Sequence, residues 1–148
     1  MFAEQRVGHG PTDVYLPSGT GVLFVLTDTM QSRREIAAIA RSQQTLSTNR
    51  LFLVIETRMA SSYGNVYAVN PFDDAQWEAW TGSFVDDDAD TTEVSACGAS
   101  ISVGPTAAII ANLAVWQMIH AITNPEAVDE VSNIFCKPSM LTTERFAA

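Results

Sequence analysis

Gly21-Val22-Leu23-Phe24-Val25-Leu26-Thr27-Asp28-Thr29 is the stretch whose reading decides the fold. Its apolar run lacks the alternation of a half-buried strand, which suits a strand covered on both faces, as in a parallel sheet flanked by helices. Polar side chains emerge only at its carboxyl end, at Thr27-Asp28-Thr29. Downstream, Ile36, Ile39 and Ala40 recur at helical spacing, while Arg33, Arg34, Glu35 and Arg41 take the remaining faces, so a helix is expected from about Gln31 to Gln44. Leu51-Phe52-Leu53-Val54-Ile55-Glu56-Thr57 is a second buried strand. Strand, helix and strand in this order favour a right-handed parallel crossover.

Further out, Tyr63-Gly64-Asn65 is a turn signal, and Val66 to Asn70 follows as a strand closed by Pro71, an antiparallel partner for the strand before it. Asp73-Asp74 opens a short capped helix through Trp80, with two acids at its positive end. Residues 81–96 form a polar crossing that includes Asp86, Asp87, Asp88 and Asp90. Pro105 starts, and Asn124-Pro125 stops, an apolar helix over Thr106 to Thr123. Asn112, Gln117 and His120 interrupt its apolarity, so a buried core or dimer helix is expected rather than a membrane span. Strands are expected around Asn133 to Cys136 and near Met140 to Thr142. The result is one α/β domain with a mixed sheet and flanking helices: an irregular arm at 1–20, a core at 21–123 and C-terminal strands and tail at 124–148.

Charge narrows the function. A net charge of −9, with 17 acidic and 8 basic residues and Lys137 the only lysine, argues against nucleic-acid binding and against attachment to anionic membranes. The two cysteines, Cys97 and Cys136, make no zinc clamp, and Met1 to Gly10 do not read as a secretory signal. A cytoplasmic location is therefore expected, where a disulfide is disfavoured.

Three segments, in order, resemble the second half of the ThiF/MoeB/HesA family, the ubiquitin-activating-enzyme-like adenylyltransferases. Asp28-Thr29-Met30-Gln31-Ser32-Arg33 is similar to that family's Asp-(Asn/Ser)-x-x-x-Arg signature. Leu53 to Met59 followed by Gly64-Asn65-Val66-Tyr67 resembles its next strand and hairpin. Cys97-Gly98-Ala99-Ser100-Ile101-Ser102-Val103-Gly104-Pro105 resembles the approach to its last core helix. The resemblance implies a Rossmann-like sheet and the adenylation, with ATP and Mg2+, of the C-terminal glycine of a ubiquitin-like or sulfur-carrier protein.

The resemblance also implies roles for individual residues. Asp28, at the carboxyl end of a parallel strand where open α/β sheets bind ligands, would meet the Mg2+–ATP phosphates. Its plainer role is to cap the following helix. Arg33 would contact the nucleotide, or else form an ion pair at the helix start. Cys97 is the candidate thiol nucleophile, although Glu93, Ser95 and Ser100 around it supply no cation to make a thiolate, and small buried packing is the alternative. Arg34 and Arg58 read as surface or structural pairing, Trp77, Trp80 and Trp116 as packing, and His120 as a satisfied core or interface histidine.

The family's ATP site also needs a Gly-x-Gly-Gly-x-Gly turn, whose backbone N–H groups cradle phosphate. No such turn stands ahead of Gly21, and Gly8-His9-Gly10-Pro11 is no substitute. The expectation is an adenylyltransferase subunit or fragment completed by a missing N-terminal half or a homo-oligomer partner. A non-catalytic protein-binding module of the same family is the alternative.

Overall fold

The computed structural model describes residues 19–44, 49–60, 62–85, 104–136 and 139–146. The arm before residue 19, Cys97, His9 and the Asp86 to Asp90 run lie outside the described residues.

The described chain runs β1 (Gly19–Val25), α1 (Met30–Gln44), β2 (Asn49–Met59), β3 (Tyr63–Val69), α2 (Asp74–Gly82), α3 (Gly104–Thr123), a 3-10 turn (Pro125–Ala127), β4 (Val131–Cys136) and β5 (Ser139–Glu144). The strands form one sheet in the order β1-β2-β3-β4-β5. β1 and β2 are parallel, with Val25 opposite Glu56, and the remaining neighbours are antiparallel. The α1 connection between β1 and β2 is thus the expected crossover, and the α/β mixed sheet with flanking helices is the expected class.

Two apolar layers enclose the sheet. On one face, α1 and α2 pack over Val25, Leu51, Val54 and Val69 through Ala37, Ala40, Trp77 and Trp80. On the other, α3 sets Ile110 and Ala114 against Leu53, Ile55, Val66 and Ile134. Polar pairs add specificity: the Gln117 side chain accepts from the Asp129 backbone N–H at 3.0 Å and donates to Ser132 Oγ at 3.3 Å, locking α3 to the start of β4. Asp73 caps α2, its carboxylate accepting from the Gln76 N–H at 3.1 Å, as its position before the helix requires.

Several expectations are corrected. Tyr63-Gly64-Asn65 is not the turn but the first part of β3; the reversal lies just before it, where the Ala60 N–H donates to the Tyr63 carbonyl at 2.9 Å. Gly64 is there because α3 crosses close: a Cβ would overlap Ile110 Cδ1 and lie 2.6 Å from the Arg58 carbonyl oxygen. β1 is covered on both faces only in part: Leu23 and Val25 pack on the α1 side and Val22 and Phe24 on the α3 side, but Gly21 to Phe24 are half-buried and Leu26 is 67% exposed. The reason is position, because among the described residues β1 pairs with β2 alone.

Three side chains also depart from expectation. Trp116 is 54% exposed rather than packed. His120 is not satisfied: its Nδ1 is buried without a hydrogen-bond partner among the described residues, beside the Trp116 ring at 5.7 Å. Arg33, expected on the polar side of α1, is on its buried side with Ala37 and Ala40.

The helix α3 is long and apolar enough, by length and composition, to cross a membrane, yet it lies along the sheet with its Thr106, Ile110, Ala114 and Gln117 stripe buried. The close approach at Gly64 gives a direct test of that docking. Gly64→Ala is expected to lower stability by about 1–3 kcal/mol through overpacking, measured by urea unfolding, whereas Gly82→Ala meets open space and should not show this overpacking loss.

Candidate functional site

The carboxyl ends of β1 and β2 lie side by side, and the residues that leave them build the site. After Val25 the chain passes through Thr27 and Asp28 into α1. Thr29 closes the first turn: its Oγ1 accepts from the Ser32 N–H at 3.2 Å and its carbonyl accepts from the Arg33 N–H at 3.2 Å. Thr29, not Asp28, therefore caps the helix, and Asp28 stands exposed at the bend between strand and helix. Beside it, Thr27 Oγ1 is buried with no hydrogen-bond partner among the described residues.

The opposite wall is a charge cluster at the end of β2. Glu56 is fully buried at 0% exposure. Arg33, itself 5% exposed, brings Nε to 2.7 Å from Glu56 Oε1. That contact is ionic rather than a linear hydrogen bond, since the Nε–H does not point along it. Arg33 also donates to the Thr57 carbonyl at 3.1 Å. Arg58 reaches both carboxylate oxygens from Nε, at 2.9 and 3.0 Å. Trp80 Nε1 donates to Glu56 Oε2 at 3.0 Å. A buried carboxylate is tolerable only with such pairing, and here two guanidinium groups and an indole N–H supply it.

The cluster extends to the start of the crossing segment. Arg58 donates to the Ser83 carbonyl at 3.0 Å and to Ser83 Oγ at 2.9 Å, and Ser83 is the C-cap of α2. Its guanidinium lies over the Tyr67 ring, 4.3 Å from the centroid, and 5.3 Å from that of Phe84. Arg34 donates to the Phe84 carbonyl at 3.2 Å. Burial raises the Tyr67 hydroxyl above its ordinary 10.0; Arg58 pulls it down, and Glu56 and Glu144 push it up. One network thus joins α1, β2, β3 and the exit from α2.

Of the residues singled out in the sequence, Asp28 and Arg33 come to the same strand end, and Cys97 lies outside the described residues. Sequence reasoning missed Glu56 as an organising residue. The signal was present: an acid directly after five apolar residues on a buried strand, followed two positions later by Arg58 on the same face.

The parallel pair, its α1 crossover, the open carboxyl end and the Asp28 to Arg33 turn can now be set beside known families. The model of the ThiF family matches residues 12–146. The chain belongs to the ThiF family. No curated protein matches it. Membership carries an activating, adenylyltransferase-type function in general terms. Proteins of the ThiF family generally bind ATP with Mg2+ and act on ubiquitin-like or sulfur-carrier proteins.

The described residues of this ThiF-family chain fit part of that chemistry. An exposed carboxylate at a strand end suits Mg2+, which binds through one or two carboxylates together with substrate phosphates. The unpartnered Thr27 hydroxyl beside it is a polar group ready for a ligand. The phosphate grip is another matter, because Arg33 is committed to Glu56 and to the Thr57 carbonyl. Among the described residues no three His, Cys, Asp or Glu side chains gather into a metal cluster.

Glu56→Gln keeps the shape and removes the charge, leaving two buried guanidinium groups without their carboxylate. A loss of about 3–5 kcal/mol is expected in urea unfolding, against less than about 1 kcal/mol for Asp74→Ala, which breaks the exposed Arg41–Asp74 pair. Equal effects from the two variants would contradict the cluster's structural weight.

Proposed function

We propose that this chain forms one edge of a ThiF-type adenylation site, the edge contributed by the second half of the domain. The site activates the C-terminal glycine of a ubiquitin-like or sulfur-carrier protein with ATP. The observation that carries the reading is Asp28, an exposed carboxylate at the carboxyl end of a parallel strand, in a family that binds ATP with Mg2+. Ligands of open α/β sheets bind at that end. Residues 1–148 act as a single partial domain in this reading, with a cytoplasmic location.

The chemistry assigns each group a task. Asp28 would hold Mg2+, and the metal would supply charge neutralisation for the phosphates. Arg33 lends positive potential from behind the strand end, held in place by Glu56. Cys97 is the thiol that the reading offers to accept the activated acyl group, with AMP leaving.

The glycine turn that cradles phosphate comes from another polypeptide segment, either an N-terminal half or a neighbouring protomer. Two observations support this. No Gly-x-Gly-Gly-x-Gly occurs in the 148 residues. Among the described residues, β1 is half-covered and pairs on one side only, which leaves room for a strand beside it. An unpaired edge of this kind favours pairing with further chain.

A second reading, a non-catalytic protein-binding module, is favoured by the sequestration of Arg33 in its buried ion pair. The two readings part on measurement. The 148-residue chain alone is expected to give no heat with Mg2+–ATP in isothermal titration, and micromolar affinity would refute the need for a second segment. Once a glycine-turn segment is supplied, Asp28→Asn is expected to lower ATP–pyrophosphate exchange at least tenfold. Exchange that is absent, or indifferent to this substitution, would favour the binding module.

A further inference from the structure

A cleft lies towards the end of the sheet opposite Asp28, where β3 leaves and β4 enters. It encloses about 370 Å3, within the roughly 300–1,000 Å3 of small-molecule sites. Its floor is apolar: Leu53 and Ala68 are buried there, with Phe52, Ala121 and Val128 half-buried around them. An irregularity in β2 builds that floor. Pairing with β1 steps from Gly21 opposite Leu51 to Val22 opposite Leu53, which leaves Phe52 unpaired and sends it, with Leu53, into the α3-side layer. Steps of this kind re-aim a side chain and recur beside functional sites.

The rim is charged, and its charges are not paired with one another. Glu130 is held from two sides: Gln76 Nε2 donates to Oε1 at 3.0 Å, and the Phe146 N–H donates to Oε2 at 2.6 Å. Gln76 is itself fixed, its Oε1 accepting from the Asn70 N–H at 2.9 Å. A carboxylate has about four acceptor sites, so Glu130 keeps room for further donors. Both of its present donors are neutral, and its charge meets no cation among the described residues. Arg145 stands exposed on the same rim, as does Glu126 on the 3-10 turn. Neither forms an ion pair among the described residues, although opposite charges line one cleft.

We propose that this cleft binds a free α-amino acid with an apolar side chain. The ligand's ammonium donates to Glu130, its carboxylate meets Arg145, and its side chain covers Phe52, Leu53 and Val128. Charge selects this class. A ligand with a carboxylate alone meets two acids for one arginine, and an amine alone gains nothing from the guanidinium. An uncharged apolar molecule takes the rim carboxylates out of water without pairing them. A zwitterion draws on both signs and on the floor. The planar fork of Arg145 suits a carboxylate through two parallel hydrogen bonds. Glu130 is already fixed before the ligand arrives, which lowers the ordering cost of binding. The site stands independently of the nucleotide reading and of whichever segment completes the ATP site.

Amide NMR of the isotope-labelled full chain tests the proposal, with L-leucine and L-phenylalanine as probes. Saturable shifts are expected at Asn70, Gln76, Glu130 and Phe146, with a Kd of about 0.1–1 mM and no response from Thr27 to Arg33. N-acetyl-L-leucine lacks the ammonium and L-leucinamide lacks the carboxylate, so each is expected to bind about tenfold more weakly. Arg145→Gln is expected to weaken L-leucine by about the same factor and to leave L-leucinamide unchanged, a split that general loss of structure does not produce. Glu130→Gln is expected to weaken both. Should that variant misfold, Arg145→Gln, at an exposed position, carries the test. The absence of a saturable response to either amino acid at about 10 mM overturns the proposal. So does equal binding of L-leucine and its N-acetyl derivative, which makes the cleft an apolar pocket only. Shifts centred on Asp28 overturn it as well, in favour of the nucleotide edge.

Discussion

A carboxylate with no access to water sets the terms for this fold. Glu56 interrupts a strand that is otherwise apolar, and leaving it alone in the core would cost several kcal/mol. Arg33 from α1, Arg58 from two residues on and Trp80 from α2 all turn inward to meet it. Each comes from a different element, so their convergence fixes the relative positions of α1, β2 and α2 more narrowly than apolar packing does. The second guanidinium then reaches Ser83, where the chain leaves α2. The same ion cluster that stabilises the layer also shapes the carboxyl end of the parallel pair.

That coupling shapes the described part of the candidate site. Asp28 stands free at the bend after β1, with the unpartnered Thr27 hydroxyl beside it, while the signature arginine is drawn back into the core. Among the described residues a carboxylate is open to a metal, while Arg33 is engaged elsewhere and does not clamp phosphate. Membership of the ThiF family gives this asymmetry its meaning, since an adenylation site needs both. The half-covered flank of β1 and the outer face of α3, which carries no Asp, Glu, Lys or Arg, are two separate surfaces.

Much of the fold was legible in the sequence because it rests on local patterns. The unbroken apolar runs of β1 and β2, the helical spacing between them and the Asp73 cap of α2 each read correctly from a few neighbouring residues. Pro105 and Asn124 likewise bracketed α3 to within two residues. What escaped was decided by contacts far apart in the chain. Arg33 was legible as an ion-pairing residue at the start of α1, but its burial and its partner were not, because nothing nearby reveals that Glu56 waits 23 positions on. Gly64 read as a turn because the crossing of Ile110, which is what demands a glycine there, leaves no trace in the local sequence. Of the site, Asp28 was legible as a strand-end acid, but the capping role assigned to it belongs to Thr29 one residue later. Trp116 read as packing because no basic groove accompanies it, yet its helix turns it outward.

On the proposed function, nucleotide meets this chain at the end of β1, around Asp28. Backbone amide NMR of the isotope-labelled chain, with a glycine-turn segment supplied unlabelled, tests it most directly. Adding Mn2+ in place of Mg2+ with ATP is predicted to broaden the amides of Thr27 to Arg33 first and to spare those of β4 and β5. Broadening centred on the opposite end of the sheet, near Asn70 and Glu130, would contradict it.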